Sequence, residues 1–504
     1  VHEIPDSAQL AELADLLDKR LGIHFAERRW RELERALAAA AGELGYPNVG
    51  SCLQGLLSAP LGRRELEILA SHLTVGETYF FREPETYRLL ETRILPALTR
   101  EKRGGYRSLR FWSAGCATGE EAYSLAILLR EQLPDLQDWN VTILATDINP
   151  RFLRKAAEGV YTEWSFRGVP ARIRESYFTN AGQGRCRISS DIRRMVAFSY
   201  LNLVEDPYPA LTSGTNAMDL ILCRNVLMYF DTARMRRVID GLHNCLVDGG
   251  WLVVSAVETS ASLYQAFETT CWQGVTVYRR RSSSGARPSA PGAPPVTAVE
   301  STDLAALASA APAPDLPPIE RPVDLVSEAA AAASTAATPD PREAAKALFR
   351  RGLYAEATEQ LGPALARDHS DPQAMSMMAR ALANQGRLHD ATEWCERAIA
   401  ADKLNAEHRL LLAGIQQERG QSNEAELSLK HALYLDPELA LAHFALGNIA
   451  RRAGRLAESD RHFANALSSL EGHGAEDVLP EPDGITAGRL REIIEAVTGA
   501  RPAP

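Results

Sequence analysis

Gly115, Gly119, Glu120, Glu121 and Asp147 are spaced like the polar parts of a nucleoside site. In FWSAGCATGEEAYSLAILL, residues 111–129, an apolar entry leads into a loop with two glycines, then into a helical stretch opened by two glutamates. Strand, glycine turn and helix is how a phosphate cradle is built, because a helix start carries free N–H groups and about half a positive charge. Two carboxylates at that start already supply the negative charge, so phosphate is disfavoured. Asp147 ends a second apolar run, VTILA, about 28 residues past Gly119. An acid there accepts hydrogen bonds from a ribose diol; its plainer role is to cap the next helix. A ribose without nearby phosphate, joined to a cationic group, describes S-adenosylmethionine. NAD fits less well, because its pyrophosphate would face Glu120 and Glu121.

The elements that must position these residues follow from the apolar spacing. Residues 1–100 carry helical periodicity, with Leu10, Leu13, Leu16 and Leu17 on one face, Trp30, Leu33 and Leu37 on another, and Ile68, Leu69 and Leu73 on a third. From 101 to 281 short apolar runs (SLRFWSA, VTILATD, MVAFSYLNL, MDLILC, GWLVVSA, GVTVYRR) alternate with helical stretches, which predicts a mostly sequential α/β sheet with buried strands. Residues 282–340 are rich in Pro, Ala and Ser and read as a disordered linker. Over 341–470 the chain repeats: Gly352, Gly386, Gly420 and Gly454 are 34 residues apart, as are Ala364, Ala398, Ala432 and Ala466, and also Ala357, Ala391 and Ala425. That period with helix, glycine turn, helix resembles tetratricopeptide repeats, a protein-binding solenoid. Within 471–504, TAGRLREIIEAV reads as a helix capping it.

Bulk composition narrows the function. The 504 residues carry a net charge of −10 and are 45% hydrophobic, enough for several cores and poorly suited to a broad nucleic-acid face. Seven scattered cysteines with no C-x-x-C pair indicate neither a disulfide framework nor a zinc site, and suit a reducing cytoplasm. No apolar run is long enough to span a bilayer, and VHEIPDSAQL lacks the order of a signal peptide, so membrane association is expected only through a partner.

Two further stretches complete the constellation. LTVGETYFFREPETY holds Thr78, Phe80, Phe81 and Arg82 ahead of the sheet, and DLILCRNVLMYFD holds Arg224, Asn225 and Tyr229 at the end of the fourth run, where ligands of open α/β sheets sit. T-x-F-F-R, W-S-A-G-C-A-T-G-E-E-x-Y-S, A-T-D-I and C-R-N-V-L-x-Y-F, in this order, resemble the chemotaxis receptor methyltransferases, the CheR family, in the variant with a tetratricopeptide tail. The resemblance covers about 5–280. It implies a Rossmann-like α/β methyltransferase domain between an N-terminal helical domain and a C-terminal all-α tetratricopeptide solenoid, with a small β-insertion around 180–200.

Carried over by position, the cofactor contacts fall on Thr78, Arg82, Glu121, Asp147, Asn202, Leu203, Arg224 and Asn225. Glu121 would face the methionine end of S-adenosylmethionine and Asp147 its ribose, with Arg82 and Tyr229 nearest the transferred methyl and the incoming carboxylate. The implied reaction methylates glutamate side chains on cytoplasmic helices of chemoreceptors. No metal is implied, and the protein ligand of the repeats is left open, with the catalytic domain itself among the possibilities. Three places depart from the family pattern. Gly76 replaces an Asn, NAGQGRCRISSDIRR is shorter than in members that grip a receptor pentapeptide, and SAVETS replaces Gly-His-Ser-Glu, with Glu258 expected to keep a structural role.

A carboxylate substrate is ionised at neutral pH and needs no general base, so His72 and His243 are expected to be ordinary helix residues, and Cys116 and Cys223 small apolar neighbours. Arg28, Arg29, Arg31 and Arg35 form a basic face suited to rows of glutamate. Two rival readings are a nucleobase methyltransferase, suggested by Asp206-Pro207-Tyr208-Pro209, and a non-catalytic cofactor sensor.

Overall fold

In a computed structural model that describes residues 7–59, 61–211, 213–281, 340–479 and 485–499, the apolar runs form one seven-stranded sheet. Its members are β1 (Ser108–Ala114), β2 (Asn140–Asp147), β6 (Val196–Tyr200), β7 (Met218–Leu222), β8 (Leu246–Val253), β9 (Phe267–Trp272) and β10 (Val275–Arg280). Every residue of β1 and β7 is buried, as expected of central strands covered on both faces. The order is β6-β2-β1-β7-β8-β10-β9, with β6, β2, β1, β7 and β8 parallel and β10 antiparallel to both its neighbours. The chain therefore starts at the centre, steps outward to β6 and returns to β7. That reversal between β1 and β7 opens a crevice at their carboxyl ends, the usual ligand position of such a sheet.

A second sheet of β3 (Val160–Thr162), β4 (Phe178–Gly182) and β5 (Arg185–Ile188) has the order β3-β5-β4. It begins earlier than the insertion expected around 180–200, and Ser190–Arg194 is helical instead. The N-terminal helices Ser7–Leu21, Trp30–Ala41, Val49–Ser58 and Arg63–Leu73 bury Leu10, Leu13, Leu17, Leu33, Leu37 and Leu69 in their own core, and Ile148 of the central domain packs against it.

The repeats form four helical hairpins, Pro341–Arg350 with Tyr354–Arg367, Pro372–Asn384 with Leu388–Ala401, Ala406–Glu418 with Ser422–Leu435, and Ala440–Arg452 with Leu456–Ser469. Gly352, Gly386, Gly420 and Gly454 sit in the four turns with φ of 72°, 76°, 73° and 75°, a conformation that favours glycine. Ala357, Ala391, Ala425, Ala398, Ala432 and Ala466 are fully buried where the paired helices meet. The helix Ala487–Gly499 closes the stack, burying Leu490 and Ile494 beside Phe463 and Leu470. The Pro/Ala/Ser segment lies outside the described residues up to 339, and Asp340 already caps the first repeat helix through Arg342 N–H.

The solenoid is docked on the α/β domain, mostly at the amino ends of β1 and β2 away from the crevice, with only its closing helix reaching the loop after β6. Arg280 donates to the Gly352 carbonyl (2.9 Å), Tyr106 Oη to that of Arg419 (2.6 Å) and Asn140 Nδ2 to that of Glu418 (2.8 Å). Leu211, on the crossover between β6 and β7, packs into the core of the repeats. Part of the repeat surface thus holds this chain's own α/β domain, one of the partners that the sequence left open.

Candidate active site at the sheet switch point

Beyond β1 the chain makes the glycine turn. Gly115 has φ +80° and a Cβ there would lie 2.3 Å from Val226 Cγ2; Gly119, φ +91°, opens the helix Glu120–Gln132 with the same lack of room against Ala156. The turn brings Ala117 N–H to Asp147 Oδ2 (2.8 Å), while Asp147 Oδ1 accepts from Asn149 N–H (2.8 Å). The helix that follows is capped by the Asn149 side chain, which leaves Asp147 as a buried acid at the tip of β2. Burial pushes its carboxyl up to about 6, opposed by these backbone donors.

The two glutamates have separate roles, which corrects the expectation that both charge the loop. Glu120 is 1% exposed and turned inward, accepting from Thr118 Oγ1 (2.6 Å) and Ser165 Oγ (3.0 Å); burial raises its carboxyl above the ordinary range. Glu121 accepts from Ser113 Oγ (2.8 Å) and pairs with Arg224 Nη1 (3.0 Å). The Arg224 side chain, 2% exposed, also reaches Glu83 (3.0 Å) and donates to the Arg82 carbonyl (2.6 Å). Arg224 thus ties three segments together: the end of β7, the glycine-loop helix and the Arg82 loop.

Glu258 fixes the post-β7 loop, a contribution only partly visible in sequence. Its carboxylate accepts from the N–H groups of Asn225 (2.8 Å), Val226 (2.7 Å) and Met228 (3.3 Å), and from Ser255 Oγ (2.5 Å). Four non-glycine residues around the crevice, Phe81, Glu83, Ala117 and Asn225, have φ between 45° and 61°. Such strain persists only where the surroundings enforce it, and it concentrates at functional sites.

These elements line a partly open cleft between the N-terminal helices and the sheet. Leu21, Ile23 and Leu73 line it from the first, Gly115, Ala117, Asp147 and Ile148 from β1 and β2, and Leu201, Asn202, Leu203, Asn225 and Tyr229 from the loops after β6 and β7. Asp147, Asn202, Leu203, Asn225 and Tyr229 of the expected set therefore meet in one cleft. Glu121 and Arg224 form the ion pair beside it, and Thr78 lies half-buried in the irregular segment ahead of Arg82. The Arg82 side chain does not line the cleft; it donates to the Glu77 carbonyl (2.7 Å). Burial raises the Tyr229 phenol, opposed by the charges of Arg29 and Arg82.

The cleft fits S-adenosylmethionine in its chemistry: an acid at the strand tip for a diol, aliphatic walls from Ile148, Leu201 and Leu203, and a carboxylate–guanidinium pair for an amino acid end. Gly76 lies against Phe152, whose ring would be 2.5 Å from a Cβ, so a larger residue there requires that ring to move. His72 pairs with Glu43, and burial, aided by the Arg280 charge, lowers His243 to about 4. Cys116 and Cys223 are buried, with thiols raised well above their ordinary range. Asp206-Pro207-Tyr208-Pro209 does not line this cleft as an amine-binding set: Tyr208 Oη donates to the Leu203 carbonyl (2.7 Å) and Asp206 pairs with Arg489. Among the described residues no group of three or more His, Cys, Asp or Glu could hold a metal, and no helix is long and apolar enough to cross a membrane.

Residues 76–273 match the family described as CheR methyltransferase, SAM binding domain. A chemotaxis protein methyltransferase of Borreliella burgdorferi is 30% identical over 253 residues, 50% of this chain and 88% of that protein. Chemotaxis protein methyltransferase 2 of Vibrio cholerae is 33% identical over 214 residues, 42% of this chain and 73% of that protein. The probable biofilm formation methyltransferase WspC of Pseudomonas aeruginosa is 30% identical over 280 residues, 55% of this chain and 63% of that protein.

Proposed function

The chain belongs to the CheR methyltransferase family, an S-adenosylmethionine-dependent group, and from that premise we propose that it converts glutamate side chains of chemoreceptor helices into methyl esters, releasing S-adenosylhomocysteine. The observation that carries this reading is the polar lining of the cleft: its one carboxylate, Asp147, is anchored at the tip of β2 by the N–H groups of Ala117 and Asn149 on the side given to the ribose, and the other polar groups there, Thr74, Asn202, Asn225 and Tyr229, include no His, Lys or Cys to take a substrate proton. A nitrogen substrate must lose a proton, whereas a glutamate, with a pKa near 4.3, arrives ionised. Bound in the cleft, S-adenosylmethionine supplies a methyl group on a positively charged sulfur.

The protein's own work is placement. Asp147 takes the ribose hydroxyls, Leu201, Asn202 and Leu203 form the base-binding wall, and Glu121 with Arg224, Asn225 and Thr78 holds the amino acid end. The substrate side is given to Tyr229, which lines the cleft, and to Arg82, whose guanidinium would have to leave the Glu77 carbonyl to reach it. An arginine there draws a carboxylate into line, and a phenol beside it donates to the same oxygen pair; positioning of this kind contributes several kcal/mol. Exposed Arg28, Arg31 and Arg35 on the N-terminal helices offer a complementary face to rows of glutamate on a receptor. The site of action is then the cytoplasmic side of membrane receptors.

Labelled S-adenosylmethionine with receptor-bearing membranes, followed by mild base, tests the bond formed. A carboxyl methyl ester releases volatile methanol; label that survives base on nitrogen would reject the proposal. Arg82→Ala is expected to lose turnover or cofactor affinity, and full retention of both would remove Arg82 from the site.

A further inference from the structure

Asp206 does two things with one oxygen. Its Oδ2 accepts from the backbone N–H of Asn202 (2.5 Å) and from Arg489 Nη2 (2.7 Å), and its Oδ1 accepts from Arg489 Nε. Arg489 lies on the helix Ala487–Gly499 that closes the repeat stack, 283 residues along the chain. The Arg489 and Asp206 side chains are only 12% and 6% exposed, so the pair is screened little by solvent. The guanidinium also covers the ring of Tyr200, 5.1 Å from its centroid, at the end of β6. Arg489 therefore grips both sides of residues 201–205, and Leu201, Asn202 and Leu203 form one wall of the cleft.

The remaining bonds of the loop run inward. Asn202 Oδ1 accepts from Val204 N–H (3.0 Å), Asn202 Nδ2 donates to the Arg20 carbonyl (2.8 Å), and Arg20 Nε pairs with Glu205 (2.5 Å). Arg489 is held from its own side by Glu492 and by the packing of Leu490 and Ile494 on the last repeat. A bond that served only to dock two domains would end on a surface carboxylate. This one ends on the carboxylate that sets the backbone of Asn202.

We propose that Arg489 is a positioning residue for the cofactor cleft: through Asp206 the repeat array holds the Leu201–Leu203 wall in its ligand-binding arrangement. The inference rests on the assignment of that wall to S-adenosylmethionine made above. Removing Arg489 leaves a buried carboxylate without its counter-charge, and such a group draws in water or a proton and slackens its other bonds. Coupling is reciprocal, so a ligand that orders the wall must also tighten the helix Ala487–Gly499 on the catalytic domain.

The experiment uses the full chain and S-adenosylhomocysteine as probe, titrated by calorimetry into wild type, Arg489→Ala, Arg489→Lys and Asn202→Ala. Arg489→Ala should raise Kd, and KM for S-adenosylmethionine, about tenfold with kcat at saturating cofactor unchanged, and Arg489→Lys should recover part of the loss. Amide exchange over 487–498 should slow in wild type when S-adenosylhomocysteine is added. If Asn202→Ala weakens binding while Arg489→Ala lowers only the melting temperature, the coupling is wrong and the cofactor assignment stands. If Asn202→Ala leaves Kd unchanged, the wall does not bind the cofactor and both fail. Should Arg489→Ala not fold, the double variant Asp206→Asn with Arg489→Met removes both buried charges together, and unchanged affinity there overturns the coupling equally.

Discussion

Asp147 carries the clearest pH signature of any residue in the cleft. Burial lifts its carboxyl to about 6, against about 3.9 in an unfolded chain. Folding thus favours the neutral form: its contribution to stability is complete below about 3.9 and is lost as pH rises through about 6. On the proposed ribose contact, ligand binding has the opposite sign, because hydroxyls donating to the carboxylate would favour the ionised form. Affinity for S-adenosylhomocysteine should therefore rise with pH through about 6 and level off above it, changing up to about tenfold per pH unit on the acid side. Calorimetric Kd values between pH 5 and 8 check this, with Asp147→Asn expected to bind weakly and without the step. A wild-type affinity independent of pH would remove Asp147 from ribose binding.

At the scale of elements, the loop after β7 is a backbone held by one side chain. Replacing Glu258 by Ala takes the acceptor from the N–H groups of Asn225, Val226 and Met228, and buried donors left unpaired cost about 1–3 kcal/mol each. A stability loss of about 3 kcal/mol in urea unfolding is expected, with kcat falling at least tenfold because Arg224 and Asn225 ride on this loop. Glu258→Gln keeps an acceptor oxygen and should lie between. Unchanged turnover in Glu258→Ala would make the loop irrelevant to the chemistry.

This scale also decides what could be read from sequence. SLRFWSA spans β1 because a central parallel strand is apolar throughout. β9 is not legible in the sequence, because Glu268, Thr269, Thr270 and Cys271 are exposed on an outer antiparallel strand and make no apolar run. The inward turn of Glu120 was equally hidden: adjacent positions at a helix start look alike until Thr118 and Ser165 are seen to claim one of them. Asp147 could be picked out because its place follows from one local feature, the end of a strand. Arg489 could not, since its partner is distant in sequence and no periodicity links them.

At the scale of the molecule, catalytic domain and repeats share buried contacts. Leu211 sits against the repeat core beside Gly414, where a Cβ would lie 3.6 Å from its own Cβ. A carboxylate placed there by Leu211→Asp would lose solvent against the repeat core without a partner, and the solenoid should melt apart from the sheet at a lower temperature than in the wild type. Differential scanning calorimetry reads this directly; a scan superimposable on that of the wild type would mean that Leu211 does not hold the two together.

The glycine turns of successive repeats meet the catalytic domain in order: Gly352 beside Asn244 before β8, Gly386 beside Val247 and Ala217, and Gly420 beside Asn140 at the start of β2. The stack therefore behaves as a gauge laid across the sheet, graduated in units of 34 residues, with Arg489 as the mark at its far end. Adding or deleting one unit would carry that mark away from Asp206, so the Arg489–Asp206 pair needs the present number of repeats between it and the sheet.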